Sequence, residues 1–116
     1  MIRITNISIT DAARQVIDRR KALFKPRGDD VFALTYTSSF INRDGTTVEG
    51  FRPGYEISPW PLEYISSNWA VVQLSGGTEF HLMPRFKWSA RERYIMDLAS
   101  PSLELFSIGP AAAATS

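Results

Sequence analysis

SARERYIMDLAS, residues 89 to 100, settles how many helices this chain is read to contain. Ser89 followed three positions later by Glu92 has the form of a capping box, in which each side chain satisfies a backbone N–H that the first helical turn leaves unbonded. Tyr94, Ile95, Leu98 and Ala99 follow at helical spacing on one face, and Pro101 ends the run. The stretch is therefore predicted as the second of two main helices. After it, LELFSI (103–108) reads as a last strand, and AAAATS beyond Pro110 as a flexible tail. These boundaries give one domain over residues 1–109 and a tail over 110–116.

Before it, WAVVQL (69–74) and TEFHLMP (78–84) face each other across Ser75-Gly76-Gly77 as a hairpin. The amino-terminal run IRITNISI alternates apolar and polar residues, with a slip at Thr5-Asn6 that a bulge in a single strand explains. Thr10 caps the next segment, where Ala12, Ala13, Val16, Ile17, Leu23 and Phe24 form one apolar stripe, so a first helix is predicted over 11–24. VFALTYTSSFI (31–41) alternates as a strand, and Asn42-Arg43-Asp44-Gly45 turns it into TTVEGF. FRPGYEISPWPLEYISSN (51–68) is read as turn-rich, with a short helix starting at Ser58-Pro59 and running through Leu62 and Ile65. The order gives an α+β fold, a mostly antiparallel β-sheet packed with two main helices.

At 116 residues the chain supports a single core. A net charge of +1 gives no long-range field with which to gather nucleic acid or an anionic membrane, so any electrostatic contact must be local. Absence of cysteine removes disulfides, thiolate nucleophiles and cysteine-held metal clusters. MIRITNIS has no basic segment followed by an apolar run, and no stretch nears the ~20 apolar residues of a membrane span, so a cytoplasmic protein is expected.

His81, the chain's one histidine, points away from the face of Phe80 and Leu82, beside Glu79. It reads as a structural histidine or as the base of a small enzyme with Glu79 or Glu56. A metal site would need further ligands that only carboxylates could supply. No G-x-S-x-G or P-loop pattern is present. Arg85-Phe86-Lys87-Trp88, with Arg91 and Arg93, interleaves basic and aromatic residues as single-stranded nucleic-acid surfaces do; Arg14, Arg19, Arg20, Lys21, Lys25 and Arg27 add a second basic run. Acids nearly balance the bases, and solvated or partner-facing charges explain the same residues. Trp60, between two prolines, is either a binding anchor or a lid on the core.

Three segments carry a resemblance. Ile9-Thr10-Asp11-Ala12-Ala13 is similar to the I-T-x-x-A that enters the first helix of the HesB/IscA family, the A-type iron–sulfur carriers. Tyr55 to Ile65 resembles that family's P-x-S-L-x-Y-L segment, and Gly76 to Pro84 its G-x-G-F-x-F-x-N-P stretch. The resemblance covers residues 2–84 and implies a HesB-like β-rich core. It departs from the family where the cluster ligands belong, near Thr37 to Ser39 and Ser89 to Glu92, since neither region holds a cysteine. The cluster-carrying function is then lost, and no cofactor or metal is expected.

The function expected is that of a non-catalytic HesB-like domain binding a protein or small-molecule partner through Trp60, Tyr64, His81, Arg85, Trp88 and Arg91. A nucleic-acid module on residues 85–93 and an enzyme around His81 stand as alternatives. LELFSI, as an edge strand, offers a route to a homodimer.

Overall fold

The computed structural model of the chain describes residues 2–25, 27–74, 76–84 and 87–111. In chain order these hold β1 (Arg3–Ile4), β2 (Ile7–Ile9), α1 (Asp11–Leu23), β3 (Asp30–Thr37), β4 (Gly54–Pro61), β5 (Ala70–Gln73), β6 (Glu79–Leu82), β7 (Tyr94–Ser100) and β8 (Leu105–Pro110). Short 3-10 turns occupy Leu62–Tyr64 and Pro101–Leu103.

The first helix forms as its sequence dictates. Thr10 Oγ1 accepts the Ala13 backbone N–H at 3.2 Å, and Asp11 sits in the first turn, where the helix dipole favours an acid. Ala13, Val16 and Ile17 are buried against β7 and β4. The buried arc then continues through Arg20, and Ala12, Leu23 and Phe24, predicted on the apolar stripe, face solvent. Arg20 completes the packing by donating to the Glu104 carboxylate at 2.6 Å and to the Ile57 carbonyl at 2.9 Å.

The second predicted helix is a strand. Ser89 Oγ accepts the Arg91 N–H at 3.3 Å and the Ser89 carbonyl accepts the Glu92 N–H at 3.4 Å, so the capping-box residues close a turn instead of opening a helix. Along β7, Tyr94, Met96 and Ser100 are buried and Asp97 is exposed. Helical spacing had left Met96 off the apolar face, yet its side chain is wholly buried. The apolar residues fit both periods, and the outcome is set by two partners: β2 pairs along one edge and β8 along the other. The architecture is therefore α+β with one main helix, not two.

Residues 54–61, predicted to be turns and the start of a helix, also form a strand. β4 runs antiparallel to β3 over its whole length, with Pro59 opposite Phe32 and Trp60 opposite Val31. Its register with β8 reaches only Tyr55, so Pro59 and Pro61 lie on a half-strand with one neighbour, where a missing N–H breaks no ladder. The predicted hairpin at Asn42–Gly45 shrinks to a single bridge, Ile41 to Thr47, and the true partner of β3 lies beyond it.

The slip at Thr5-Asn6 is a change of partner, not a bulge. β1 runs parallel to β5, whereas β2 runs parallel to β7. The order across the sheet is β1-β5-β6-β3-β4-β8-β7-β2, so its two outermost strands are consecutive in the chain and the sheet nearly closes into a barrel. β3–β4, β4–β8, β5–β6 and β7–β8 are antiparallel and β1–β5, β2–β7 and β3–β6 are parallel, so the sheet is mixed. β8, expected at an edge, lies between β4 and β7, although it meets β4 at the single pair Tyr55 to Phe106. It runs to Pro110, and Ala111 donates its N–H to the Arg93 carbonyl at 2.8 Å; the rest of the predicted tail lies outside the described residues.

Phe80, Phe106, Leu34, Ile57, Leu82 and Met96 fill the interior, each fully buried and each worth about 1.5–3 kcal/mol of apolar transfer. No helix among the described residues is long and apolar enough to cross a membrane.

Candidate functional site

At the end of the sheet where β1 and β5 begin and β6 finishes, the interior is not filled. A cleft of about 190 Å³ opens there, lined by Ile2, Ile4, Ser67, Asn68, Trp69, Ala70, Leu82, Met83, Pro84 and Trp88. Ile4 and Leu82, both essentially buried, are core residues that also line it. Trp69 and Trp88 supply aromatic surface, and Ser67 and Asn68 supply polar groups on the segment leading into β5. The described lining carries no charged side chain. Barrel mouths with apolar walls and a few placed polar groups are a common setting for ligand sites.

Each wall is held from behind. Trp88 Nε1 donates to Asn6 Oδ1 at 2.7 Å, and the Asn6 amide donates in turn to the Ser89 carbonyl at 3.1 Å and to the Glu92 carbonyl. The crossing residue between β1 and β2 thus fixes the loop that carries Trp88. Trp69 donates its backbone N–H to the Ser66 carbonyl at 3.1 Å, and its ring lies 5.5 Å from that of Trp60 at 53°. Met83 Sδ accepts the Tyr36 N–H at 2.8 Å, at the point where β6 leaves β3.

Of the residues nominated from sequence, the structure brings two to this place. Trp88 lines the cleft, and Trp60 backs Trp69 with its Nε1 donating to Ser58 Oγ at 3.1 Å. Tyr64 stands exposed in its 3-10 turn, and Arg91 is exposed in the turn before β7. Arg85 lies outside the described residues.

His81 lies on the outward face of β6, opposite Ala33 and Val71, and is not part of the cleft lining. Partial burial holds its imidazole below the ordinary histidine value, with Glu79 opposing and the Arg3 charge assisting. Glu79 is paired with Arg3 at 2.6 Å, and Glu56, on β4 beyond β3, faces Arg20 at 3.7 Å. Neither carboxylate is held by His81 as a catalytic partner would be. No group of three or more His, Asp or Glu residues among those described is placed to hold a metal.

The basic-aromatic pattern is also divided. Lys87, Arg91 and Arg93 are exposed, but the Trp88 ring turns toward the core and the cleft. On α1, Arg19 and Arg20 are taken by Glu104, and Lys21 sits over the Phe32 ring at 5.9 Å. Trp69, Asn68 and Asn6 were not nominated from sequence. The S-S-N-W run before an apolar strand gives no local sign that Trp69 faces a cleft, and Asn6 gains its role only from the crossing of β1 into β2.

No family model, no curated protein and no solved structure matches this chain.

Proposed function

We propose that this chain is a small non-catalytic binding domain whose site is the cleft between Trp69 and Trp88. The observation that carries the reading is a largely apolar cavity, with no charged side chain among its described lining residues, whose aromatic walls are fixed by contacts outside it: Asn6 behind Trp88 and Trp60 behind Trp69. Preorganised walls lower the ordering cost of taking up a partner.

The likeness to HesB/IscA proteins enters the proposal through its placement. The first matched segment ends β2 and caps α1, and the last runs from the Gly76-Gly77 turn along β6 to Pro84 at the cleft. Cluster carriage is no part of the reading, because iron–sulfur clusters are held mainly by thiolates and the chain has no cysteine.

Intrinsic fluorescence and nitrogen-15 correlation spectra tests the reading with a library of small neutral fragments. Hits are expected to shift the Trp69 and Trp88 indole signals, and Ala70→Leu, which adds volume inside the cleft, is expected to remove the effect. Fragments that bind with these signals unmoved would sink it.

A further inference from the structure

The cleft's dimensions and chemistry narrow what it can hold. A volume of about 190 Å³ is close to that of an engineered apolar cavity of roughly 150 Å³ that accepts benzene, and below the roughly 300–1,000 Å³ of sites for larger ligands. One six-membered ring with a small substituent matches this volume; a nucleotide or a fused-ring cofactor would extend well beyond it. Two indoles in the wall favour an aromatic guest through offset or edge-on ring contacts.

Charge is the second constraint. Among the described lining residues there is neither a cation to receive a carboxylate nor an anion to receive an ammonium group, and an unpaired charge moved into such a place loses its hydration without compensation. Indole faces attract cations on their own, so a cationic guest is the competing possibility that a test must separate.

Polarity at one side is the third. Asn68 Oδ1 accepts the Ser66 hydroxyl while its amide nitrogen remains a donor, and Ser67 adds a hydroxyl to the same lining. Trp88 has committed its Nε1–H to Asn6 and presents only its ring. A guest carrying one hydrogen-bond acceptor on its ring meets this arrangement.

The surroundings favour a free molecule over a side chain of a docked protein. Among the described residues, Ile2 is the one lining residue with an exposed large apolar side chain, and Leu62 and Tyr64 lie off the lining. Protein docking calls for an apolar surface of several hundred Å² around such an anchor.

We infer that the cleft takes a free, uncharged, single-ring aromatic molecule bearing one hydrogen-bond acceptor, held between Trp69 and Trp88 with the acceptor toward Ser67 and Asn68. This rests on the binding reading above and specifies its ligand.

The test is a titration of the whole chain with benzamide, benzoate, benzylammonium, toluene and 2-naphthamide, followed through the tryptophan indole resonances. Benzamide is expected to move the Trp69 and Trp88 signals with a dissociation constant of about 0.1–1 mM, as befits so few atoms. Benzoate and benzylammonium are expected to bind at least about tenfold more weakly, the order of one uncompensated polar contact. Asn68→Ala is expected to weaken benzamide by about threefold to tenfold and to leave toluene unaffected. If either charged analogue or the two-ring amide binds at these signals as tightly as benzamide, the ligand class is wrong while the cleft stands as a binding site. If no probe moves them, both readings fall. The comparison among ligands uses the unmodified protein, so it decides the matter even where a variant does not fold.

Discussion

Asn6 joins the crossing between β1 and β2 to the segment before β7: its amide meets the Trp88 indole, the Ser89 carbonyl and the Glu92 carbonyl. Asn6→Ala leaves a half-buried indole N–H and two carbonyls without this partner, and is expected to cost about 2–3 kcal/mol in urea unfolding. It is also expected to shift the emission of Trp88, which separates loss of this bracket from a general loss of stability. Glu104 makes a different kind of link. Burial works to raise its carboxyl, but hydrogen bonds from Arg20 and Arg19 and their charges prevail and hold it below the usual range. A depressed acid contributes stability that is present above its unfolded value of about 4.3 and is lost as the pH falls through the lower folded value. Glu104→Gln is therefore expected to be less stable at pH 7 by about 1–2 kcal/mol, the side chain being partly screened. The two proteins' unfolding midpoints should converge as pH drops from 5 toward 3; a constant gap over that range would show that the carboxylate's charge is not what binds α1 to the sheet.

Elements of this fold were legible where the information was local. α1 could be read from Thr10 and the Ala13-Val16-Ile17 spacing, and the β5–β6 hairpin from Gly76 and Gly77, whose φ angles of 93° and 86° favour glycine. β4 and β7 could not, because each takes its form from distant strands: a capping-box pattern at Ser89 and prolines at 59 and 61 argued against strands that long-range pairing then imposed. The site followed the same rule. Trp60 and Trp88 stood out as residue types, but that Trp69 completes the wall depends on where β5 begins beside β1. The contact between β4 and β8 is the narrowest of the inner joins, with the single register pair Tyr55 to Phe106. Gly54 permits it: a Cβ there would stand 2.7 Å from the Phe106 carbonyl oxygen and 3.2 Å from the Leu105 Cβ. Since backbone cannot swing aside, Gly54→Ala is expected to destabilise by about 2–4 kcal/mol, measured by thermal or urea unfolding. An unchanged midpoint would mean that the two strands can part there freely.

Closure of the whole sheet depends on a two-residue hinge. Ile4 faces inward from β1 and Ile7 from β2, and only Thr5 and Asn6 separate the stave that pairs with β5 from the one that pairs with β7. Because side chains alternate between faces, one added residue cannot be absorbed without moving one strand by a position and turning its apolar residue outward. The backbone bonds Val71 N–H to Ile2 O at 2.8 Å and Tyr94 N–H to Asn6 O at 2.9 Å lie on opposite sides of the hinge, so they compete for any shift. Inserting one glycine between Thr5 and Asn6 is therefore expected to cost at least about 3 kcal/mol, from one isoleucine exposed and one ladder broken. The same glycine inserted after Asp44, in the exposed turn bounded by the Ile41–Thr47 bridge, is expected to cost less than about 1 kcal/mol, since lengthening a loop adds little closure entropy. Urea unfolding of the two insertions measures the difference, and amide exchange at Val71 and Tyr94 shows which side of the hinge gave way. Equal costs at the two sites would mean that the sheet behaves as an open one, and that the cleft beside β1 has a movable wall instead of a fixed frame.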